Sequence, residues 1–504
     1  MRVNLFKTLQ DGYQKNLGKT SIETPTGETW SFAELDELSA RFAGLLRAKG
    51  VKPGDRVVVQ IDKSPGGVGL YLGVLRIGAV FVPLNIAYTP NEVEYFLSNA
   101  RPSLFVCQPG SLDALSEIAQ AANVPAIAPL GTSSDAGLWR EALDTAPDDA
   151  IEMRDETDVA AIVYTSGTTG RSKGAMLSHR ALISNTHMLH ELWEFEPDDV
   201  LIHALPIFHV HGLFFALHTS LLNASTMLFH PGFDAAAVRK EMPRATILMG
   251  VPTYYSRLLS LDGFGKEDCK SMRLFVSGSA PLTAQASEEW TEATGHAILE
   301  RYGMSEAGVI TSNPYNGERL PGTVGYAMPG TEVKICDTDG AALPAGSVGS
   351  IEIRGPNLFN GYWEMPEKTA QEVREDGFFI TGDLGELSED GRLKIVGRSK
   401  DLIISGGYNI YPKEIESVLD DVEGVKESAV VGVPHADVGE GVVAVLVAEA
   451  DEIETTTLQT ALDDNLARFK HPRRFYWLSE LPRNTMGKVQ KNKLREQFET
   501  AYSD

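Results

Sequence analysis

The chain has 504 residues, of which 43% are hydrophobic and 23% are charged, a balance typical of folded globular proteins and not of disordered, collagenous or membrane proteins. At about 150 residues per domain, this length predicts at least two domains. The formal net charge of -24 disfavours nucleic acid and anionic membranes as partners, so an anionic ligand needs a locally basic site.

The cysteines and the apolar segments indicate the compartment. Cys107, Cys269 and Cys336 are odd in number and far apart, which argues against a disulfide framework or a thiolate metal cluster and favours a reducing environment. The first residues contain no apolar stretch of signal-peptide length. Arg76 interrupts the apolar run at residues 69–84, so no membrane span is predicted there. We therefore expect a cytoplasmic protein.

In chain order, the first clear element is a helix at residues 31–50. Ser31 and Glu34 form a capping box, apolar residues recur at helical spacing, and Gly50 ends the pattern. Residues 52–61 then read as a turn and a buried strand, and this alternation of helix and strand continues to about residue 300. The pattern predicts an α/β architecture with helix and sheet layers.

Two changes of pattern follow. Between about residues 345 and 400, short strands are separated by Gly and Asp turns, which predicts a small β subdomain. After Lys400, an amphipathic helix and two apolar strands predict a compact α+β terminal domain of about 100 residues. The predicted domains are therefore residues 1–399 and residues 400–504.

A Gly-, Ser- and Thr-rich loop, VYTSGTTGRSKG at residues 163–174, follows one of the predicted buried strands. Backbone N–H groups freed by such a loop can converge on an anion, with hydroxyls and Lys173 around it, and a triphosphate is the obvious ligand. A flexible surface loop is the alternative. The loop does not fit a Walker A motif, because Ser172 stands five positions after Gly167 where that motif needs glycine.

Eight segments in the same order resemble the motifs of the AMP-forming acyl-adenylate synthetases, the family that includes acyl-CoA synthetases, luciferase and nonribosomal adenylation domains. The segments are YTSGTTGRSKG, LPIFHVHGL, GVPTYYSRLL, SGSAPL, RYGMSEAG, TGDLGEL, GRSKDLIISGGYNIYPKEIE and PRNTMGKVQKNKLRE. The resemblance implies a large N-terminal domain and a small mobile C-terminal domain. It also implies two half reactions: a carboxylate attacks ATP and releases pyrophosphate, and a thiol, here CoA, then captures the acyl adenylate and releases AMP.

The resemblance implies the nucleotide site residue by residue. The ATP-binding residues would be Thr165, Ser166, Gly167, Thr168, Thr169, Gly170, Lys173, Ser277, Gly278, Ser279, Ala280, Glu300, Tyr302, Gly303, Met304, Ser305, Asp383 and Arg398. Asp383 would accept both ribose hydroxyls, which suits a carboxylate, and Glu306 would hold Mg²⁺ with the phosphates. Ser305 and Ser172 depart from the usual Thr and the frequent Pro of the family. Without the family context, Asp383 and Glu306 would read as ordinary turn and surface acids.

Lys488 matches the family's catalytic lysine. A carboxylic acid with a pKa of about 4.3 is already ionised at neutral pH, so the first step needs positioning and positive charge more than a base. Residues 468–495 contain nine Lys or Arg and only the acid Glu480, so charge alone does not distinguish Lys488 from a solvated lysine. The other cations either attract the CoA phosphates or form a solvated face.

The resemblance also implies how the second half reaction is arranged. Lys400 would be the hinge, and Gly406, Gly407 and Tyr408 would line the CoA tunnel. Two glycines there permit close approach of the backbone to a narrow thiol arm. A protein lysine acetyltransferase that modifies Lys488 is a further partner made plausible by the resemblance.

The acid pocket contains unexpected cations for this family. Arg257 and Arg301 lie in segments that normally flank an apolar acyl pocket in the family. The resemblance also implies that His209 shapes the pocket and its gate, whereas its apolar neighbours alone would indicate a core histidine. Paired guanidinium groups would select a second carboxylate. Alternatively, Arg257 packs along a helix and Arg301 pairs with Glu300 or a neighbouring acid. The combined pattern is similar to that of malonate-activating members of the family, so malonate, with methylmalonate as an alternative, is the predicted substrate.

Three rival functions remain. The acid could be a fatty or aryl monoacid. The adenylate could be loaded onto a carrier protein, which is disfavoured because no carrier domain follows Lys488 within the last 16 residues. The protein could also bind nucleotide without catalysis, against which the presence of Lys488, Glu306 and Asp383 argues.

Overall fold

A computed structural model describes residues 1–165, 172–405, 408–435, 438–450, 453–466, 468–484 and 487–502. The side chains of Tyr408, Asn409 and Phe469 lie outside this description. The architecture is mixed α/β, as predicted.

Two large sheets dominate the N-terminal part. The six-stranded sheet has the order Lys173–Ser178, Val159–Thr165, Val80–Pro83, Arg56–Gln60, Leu104–Cys107 and Ile127–Pro129. The nine-stranded sheet has the order Tyr326–Ala327, Gly308–Ser312, Leu299–Met304, Leu274–Ser277, Ile247–Gly250, Val200–His203, Thr226–Phe229, Thr20–Glu23 and Thr29–Ser31. Strands at the centre of both sheets run parallel, and antiparallel partners lie at their edges. Arg2–Val3 and Arg154–Asp155 form a separate antiparallel pair.

Helices pack on the sheets, and the buried apolar residues form one extensive core cluster and smaller separate clusters. The α-helices are Leu5–Tyr13, Phe32–Ala48, Pro65–Arg76, Pro90–Ala100, Leu112–Ala121, Gly137–Leu143, His179–Leu192, His218–Leu222, Ala235–Glu241, Pro252–Leu259, Ala284–Thr294, Pro366–Glu372, Pro412–Asp420, Thr455–Asn465 and Lys491–Gln497. A π-helix spans His211–Leu217, and 3₁₀ turns span Gln14–Asn16, Pro109–Ser111, Met242–Arg244, Ser399–Asp401 and Arg468–Lys470.

The helix Phe32–Ala48 shows how the sequence encodes its local structure. Ser31 and Glu34 form the predicted capping box. The predicted apolar face is buried throughout, at Leu35, Leu38, Phe42, Leu45 and Leu46. Gly50 follows the helix at φ +84°, a left-handed conformation that glycine adopts without steric cost.

The predicted β subdomain is a four-stranded antiparallel sheet, in the order Glu332–Cys336, Val348–Arg354, Phe379–Leu387 and Leu393–Arg398. The final sheet contains Tyr408–Ile410, Ile403–Ser405, Gly439–Ala448 and Val425–His435, and Arg474–Trp477 pairs in parallel with Gly439–Ala448. One face of that sheet packs on Ile415, Leu419, Leu458 and Leu462. Leu481 and Leu494 pack on the other face. This matches the predicted α+β terminal domain, and the boundary at Lys400 stays a prediction.

Candidate adenylation site

The carboxylate of Asp383 lies where three strands of two sheets meet. Asp383 pairs across the strands Phe379–Leu387 and Leu393–Arg398 with Arg398, whose Nε lies 3.2 Å from Asp383 Oδ1. The Tyr302 hydroxyl, from the strand Leu299–Met304, donates to Asp383 Oδ2 at 2.6 Å. Burial and the neighbouring carboxylate of Asp383 raise the pKa of Tyr302 well above its ordinary value. The structure therefore joins three predicted nucleotide residues through one side-chain hydrogen bond and one ion pair.

Glu306 lies in a second polar group with Lys173. Its buried carboxylate accepts a hydrogen bond of 3.1 Å from the Tyr362 hydroxyl, which also lies 2.6 Å from Glu372 Oε2. Lys173 Nζ lies 3.0 Å from Glu372 Oε1 and 4.2 Å from the centre of the Tyr362 ring. Burial raises the pKa of Glu306. The Tyr362 hydroxyl has one proton for two carboxylates, so a carboxylate oxygen of Glu306 is still able to bind a proton or a cation.

Arg301 is a buried cation beside the loop that follows the strand Leu274–Ser277. Its side chain is 3% exposed, and its guanidinium lies 5.0 Å from the centre of the Phe215 ring. A Cβ on Gly278 would lie 2.5 Å from the guanidinium carbon, so glycine is required for this approach. Within the described part of the chain, Arg301 forms no ion pair and its Nε has no hydrogen-bond partner.

Ser279 connects Arg301 to the π-helix. Arg301 Nη2 lies 3.5 Å from Ser279 Oγ, which lies 3.3 Å from His211 Nδ1. Ser279 adopts φ +71°, a conformation uncommon for residues other than glycine. Burial lowers the pKa of Arg301 to about 9, so the guanidinium is still charged at neutral pH. Burial also lowers the pKa of His211, which is therefore a neutral imidazole.

Lys488 reaches this region from the C-terminal part of the chain. Burial, followed by the charge of Arg398, lowers the pKa of Lys488 to about 8, and Asp383 and Glu306 oppose that shift. Lys488 N–H donates to Asn484 Oδ1 at 3.0 Å, and Asn484 N–H donates to the Lys488 carbonyl at 2.9 Å. A Cβ on Gly487 would lie 3.9 Å from Thr253 Oγ1. The loop of Lys488 thus lies against the helix Pro252–Leu259, within electrostatic range of both acidic groups.

The other predicted acid-pocket residues differ in burial. His209 is close enough to Lys488 and Arg301 that, after burial, their charges lower its pKa to about 3, so its imidazole is neutral. Arg257 is exposed on the helix Pro252–Leu259, and the structure does not place it with the buried Arg301. Lys400 lies exposed in the turn Ser399–Asp401.

The remaining predicted nucleotide residues surround these groups. Thr165 pairs with Lys173 across the edge of the six-stranded sheet, and Ser277 ends a buried strand. Burial raises the pKa of Glu300 to about 8. Gly303 and Met304 end the strand Leu299–Met304, and Ala280 and Ser305 are half-buried beside the same strands. The predicted residues Ser166, Gly167, Thr168, Thr169, Gly170, Gly406 and Gly407, and the side chain of Tyr408, lie outside the described residues.

The described residues show neither a metal-ligand cluster nor a membrane-spanning helix. Across the described ranges, no three His, Cys, Asp or Glu side chains are arranged to hold a metal ion by themselves. No helix in those ranges is both long enough and apolar enough to cross a membrane. The three cysteines are free and buried.

Two family models match the chain. The model described as AMP-binding enzyme matches residues 9–363, and the model described as AMP-binding enzyme C-terminal domain matches residues 414–488. The chain belongs to the AMP-binding enzyme family. Its family membership confirms the resemblance inferred from the eight motifs.

Relatives in this family include different acid–CoA ligases. A malonate–CoA ligase of Arabidopsis thaliana is 36% identical over 486 residues, covering 89% of this chain and 79% of that protein. A feruloyl-CoA synthase of an Amycolatopsis species is 34% identical and covers 94% of both chains. ATP-bound MatB from Rhodopseudomonas palustris is 50% identical, covers 100% of both chains and superposes with a TM-score of 0.97. Apo MatB superposes with a TM-score of 0.85, so this chain is arranged more like the ATP-bound form.

Several residues near Glu306, Lys173 and the π-helix were not identified as candidates from the sequence. Tyr362 and Glu372 contact Glu306 and Lys173 from a segment that shows only an ordinary strand and helix pattern. Lys63 Nζ lies 2.8 Å from His203 Nδ1, and His203 Nε2 lies 2.9 Å from the Gly212 carbonyl at the start of the π-helix. The available signal for Lys63 was the charged pair Asp62 and Lys63 between an apolar strand and an apolar helix.

Proposed function

We propose that this protein is an AMP-forming acid–CoA ligase that acts on malonate, with methylmalonate as an alternative substrate. A carboxylate oxygen of the acid attacks the α-phosphorus of ATP, and the bond to pyrophosphate breaks. The CoA thiol then attacks the acyl carbon, the bond to AMP breaks, and the thiol proton leaves to solvent. The products are the acyl-CoA thioester, AMP and pyrophosphate.

The buried guanidinium of Arg301 is the observation that carries the choice of a diacid. Among the residues the structure describes, no carboxylate neutralises it. A buried cation without a partner is costly, so a ligand anion gains by filling this position. The second carboxylate of malonate supplies that charge while the first remains free to react. The malonate–CoA ligase relative and the similarity to MatB support the same acid.

Positive charge and positioning account for the first half reaction. The carboxylate is already ionised, so no general base is required. Lys488 is the group that bridges the attacking carboxylate and the α-phosphate, and its approach to Asp383, Glu306 and Arg301 supports this role. Asp383 holds the ribose hydroxyls, with Arg398 and Tyr302 fixing the carboxylate orientation.

The residues present fit a magnesium ion at Glu306. Magnesium is usually bound by one or two carboxylates together with substrate phosphates, and the buried Glu306 carboxylate shares the Tyr362 hydroxyl with Glu372. Bound Mg²⁺ supplies neutralisation of phosphate charge. Glu306 would hold it, and Tyr362 orients Glu306.

The second half reaction requires a different placement of the C-terminal domain. We propose that residues 400–504 rotate about Lys400, so that Lys488 leaves and Gly406, Gly407 and Tyr408 approach the adenylate to line the CoA tunnel. The greater similarity to ATP-bound than to apo MatB supports assigning the present arrangement to adenylation.

ATP–pyrophosphate exchange with a panel of acids tests the substrate. Malonate, methylmalonate, succinate, acetate and a coumarate are compared at equal concentration, and CoA-dependent AMP release is measured with each. We expect malonate to give the highest kcat/KM, with acetate disfavoured by about 10³-fold or more. Equal turnover of acetate, or a preference for coumarate, would reject malonate as the substrate but leave the ligase activity in place.

An Arg301→Met variant tests the role of the guanidinium. Methionine keeps much of the side-chain volume and removes the charge, so kcat/KM for malonate should fall by about 10²-fold or more while acetate exchange is retained or improved. Arg257→Met is the matched variant at the exposed arginine of the flanking helix, and a smaller loss is expected. Equal losses for malonate and acetate in Arg301→Met would contradict the proposed contact.

A further inference from the structure

The ion pair between Lys173 and Glu372 joins the end of the phosphate loop to a helix of the β subdomain. The two Lys173 Nζ contacts to Glu372 are 3.0 Å and 3.4 Å long. Both side chains are largely buried, with 19% of Lys173 and 21% of Glu372 exposed. The Lys173 ammonium is therefore held by an internal anion in the site where the proposed function needs it to bind polyphosphate.

Backbone contacts fix the position of Glu372. Residues 361–363 run along the strand Lys173–Ser178, with Met176 N–H donating to the Gly361 carbonyl at 3.0 Å and Trp363 N–H donating to the Gly174 carbonyl at 2.8 Å. Tyr362 N–H donates to Thr369 Oγ1 at 2.9 Å, on the helix that ends at Glu372. The pair is thus built from segments that are tied to one another by main-chain hydrogen bonds.

Glu372 keeps other partners if Lys173 leaves it. Tyr362 donates to Glu372 Oε2 at 2.6 Å, and Lys368 Nζ lies 2.9 Å from Glu372 Oε1. Releasing Lys173 therefore does not leave a buried carboxylate without partners, which is the situation that makes breaking an ion pair expensive. The arrangement suits an ion pair that opens and closes during turnover.

We propose that Glu372 is an internal competitor of polyphosphate for Lys173. Bound ATP takes Lys173 from Glu372, and Glu372 recovers Lys173 as pyrophosphate leaves after adenylation. Glu372 thereby weakens pyrophosphate binding and speeds its release. The proposal rests on the phosphate-binding role of Lys173 in the proposed function, and it does not depend on which acid is activated.

A Glu372→Gln variant tests the competition by calorimetric titration of the full-length protein with magnesium pyrophosphate, without any acid. Glutamine keeps the size and an acceptor for Tyr362 but removes the charge. Since the internal pair lowers the fraction of protein that can bind, its loss should lower the Kd for pyrophosphate by about three- to tenfold. Glu367→Gln makes the same charge change on an exposed residue of the same helix and should leave the Kd unchanged.

Lys173→Gln separates failure of this proposal from failure of the proposed phosphate site. Lys173→Gln alone should weaken pyrophosphate binding. Adding Glu372→Gln to it should then have no further effect, because the ammonium for which Glu372 and pyrophosphate compete is absent. An unchanged or higher Kd in Glu372→Gln would overturn the competitor role. An unchanged Kd in Lys173→Gln would instead overturn the assignment of Lys173 to the phosphates.

Discussion

At the scale of single residues, the protonation state of Lys488 controls the adenylation step in the proposed mechanism. Burial and Arg398 lower the pKa of Lys488 to about 8. The ammonium is the form that neutralises phosphoryl charge, so activity is present below this pKa and is lost as the pH rises through it. The burial of Lys488, with a smaller contribution from Arg398, thus brings its pKa close to physiological pH.

We therefore predict a basic limb near pH 8 in kcat/KM for ATP–pyrophosphate exchange, measured from about pH 6 to about pH 10. Lys488→Arg should be slower but should lose this limb, because a guanidinium stays charged over the whole range. A limb that persists unchanged in Lys488→Arg would assign the titration to another group.

Lys488→Ala should reduce exchange by about 10²-fold or more and spare ATP binding.

At the scale of elements, the hairpin of Phe379–Leu387 and Leu393–Arg398 carries Asp383, the carboxylate that we propose binds the ribose. The register places Asp383 opposite Arg398, and the neighbouring sheet contributes Tyr302. Asp383 thus receives donors from two different sheets. This packing fixes the carboxylate before nucleotide arrives, which lowers the ordering cost of binding.

Asp383→Asn should weaken ATP binding by about tenfold or more, measured as KM for ATP and as Kd by titration. The amide has nearly the same size, but its NH₂ replaces one of the two oxygens and so faces the donor of either Tyr302 or Arg398, and a charge-assisted acceptor is lost. A thermal unfolding midpoint close to that of the unaltered protein is the control for folding. Unchanged affinity in a folded variant would remove Asp383 from the ribose site.

At the scale of the whole molecule, the site is completed by a loop from the C-terminal part of the chain. Gly487 lies against Thr253, and Lys488 reaches the groups contributed by the large sheets. In the proposed mechanism, Gly406 and Gly407 take the place of Lys488 beside the adenylate during thioester formation, so the proposed reaction needs two arrangements of the chain. Lys400, in an exposed turn, is the proposed pivot.

Lys400→Pro should separate the two half reactions. Proline fixes φ near about −65° and restricts the rotation of the pivot. We expect thioester formation to fall by about tenfold or more in single-turnover measurements, with ATP–pyrophosphate exchange within about twofold of the unaltered enzyme. Lys400→Ala, which leaves the backbone free, should support both steps. Full thioester activity in Lys400→Pro would place the pivot elsewhere.

The sequence determined the architecture, the capped helix at Phe32–Ala48, the β subdomain and the family. These features follow from local periodicity, turn residues and motif order, which depend on residues that are close together in the chain. The sequence also identified Asp383, Glu306, Arg301 and Lys488 as candidate site residues. The roles of these residues and the domain boundary remain predictions. The π-helix at His211–Leu217 was not foreseen, since its wider turn carries no distinct apolar period.

Only the tertiary structure determined which side chains are in contact and which are buried. It placed Arg301 in the interior without an acidic partner in the described chain, left Arg257 exposed, and paired Lys173 with Glu372, which is 199 positions away. Contacts at such separations depend on the packing of sheets against one another, and no local pattern encodes them. Burial then determines which charges need a partner, because a guanidinium or ammonium that is well solvated in water is costly in free energy when it is buried without an opposite charge.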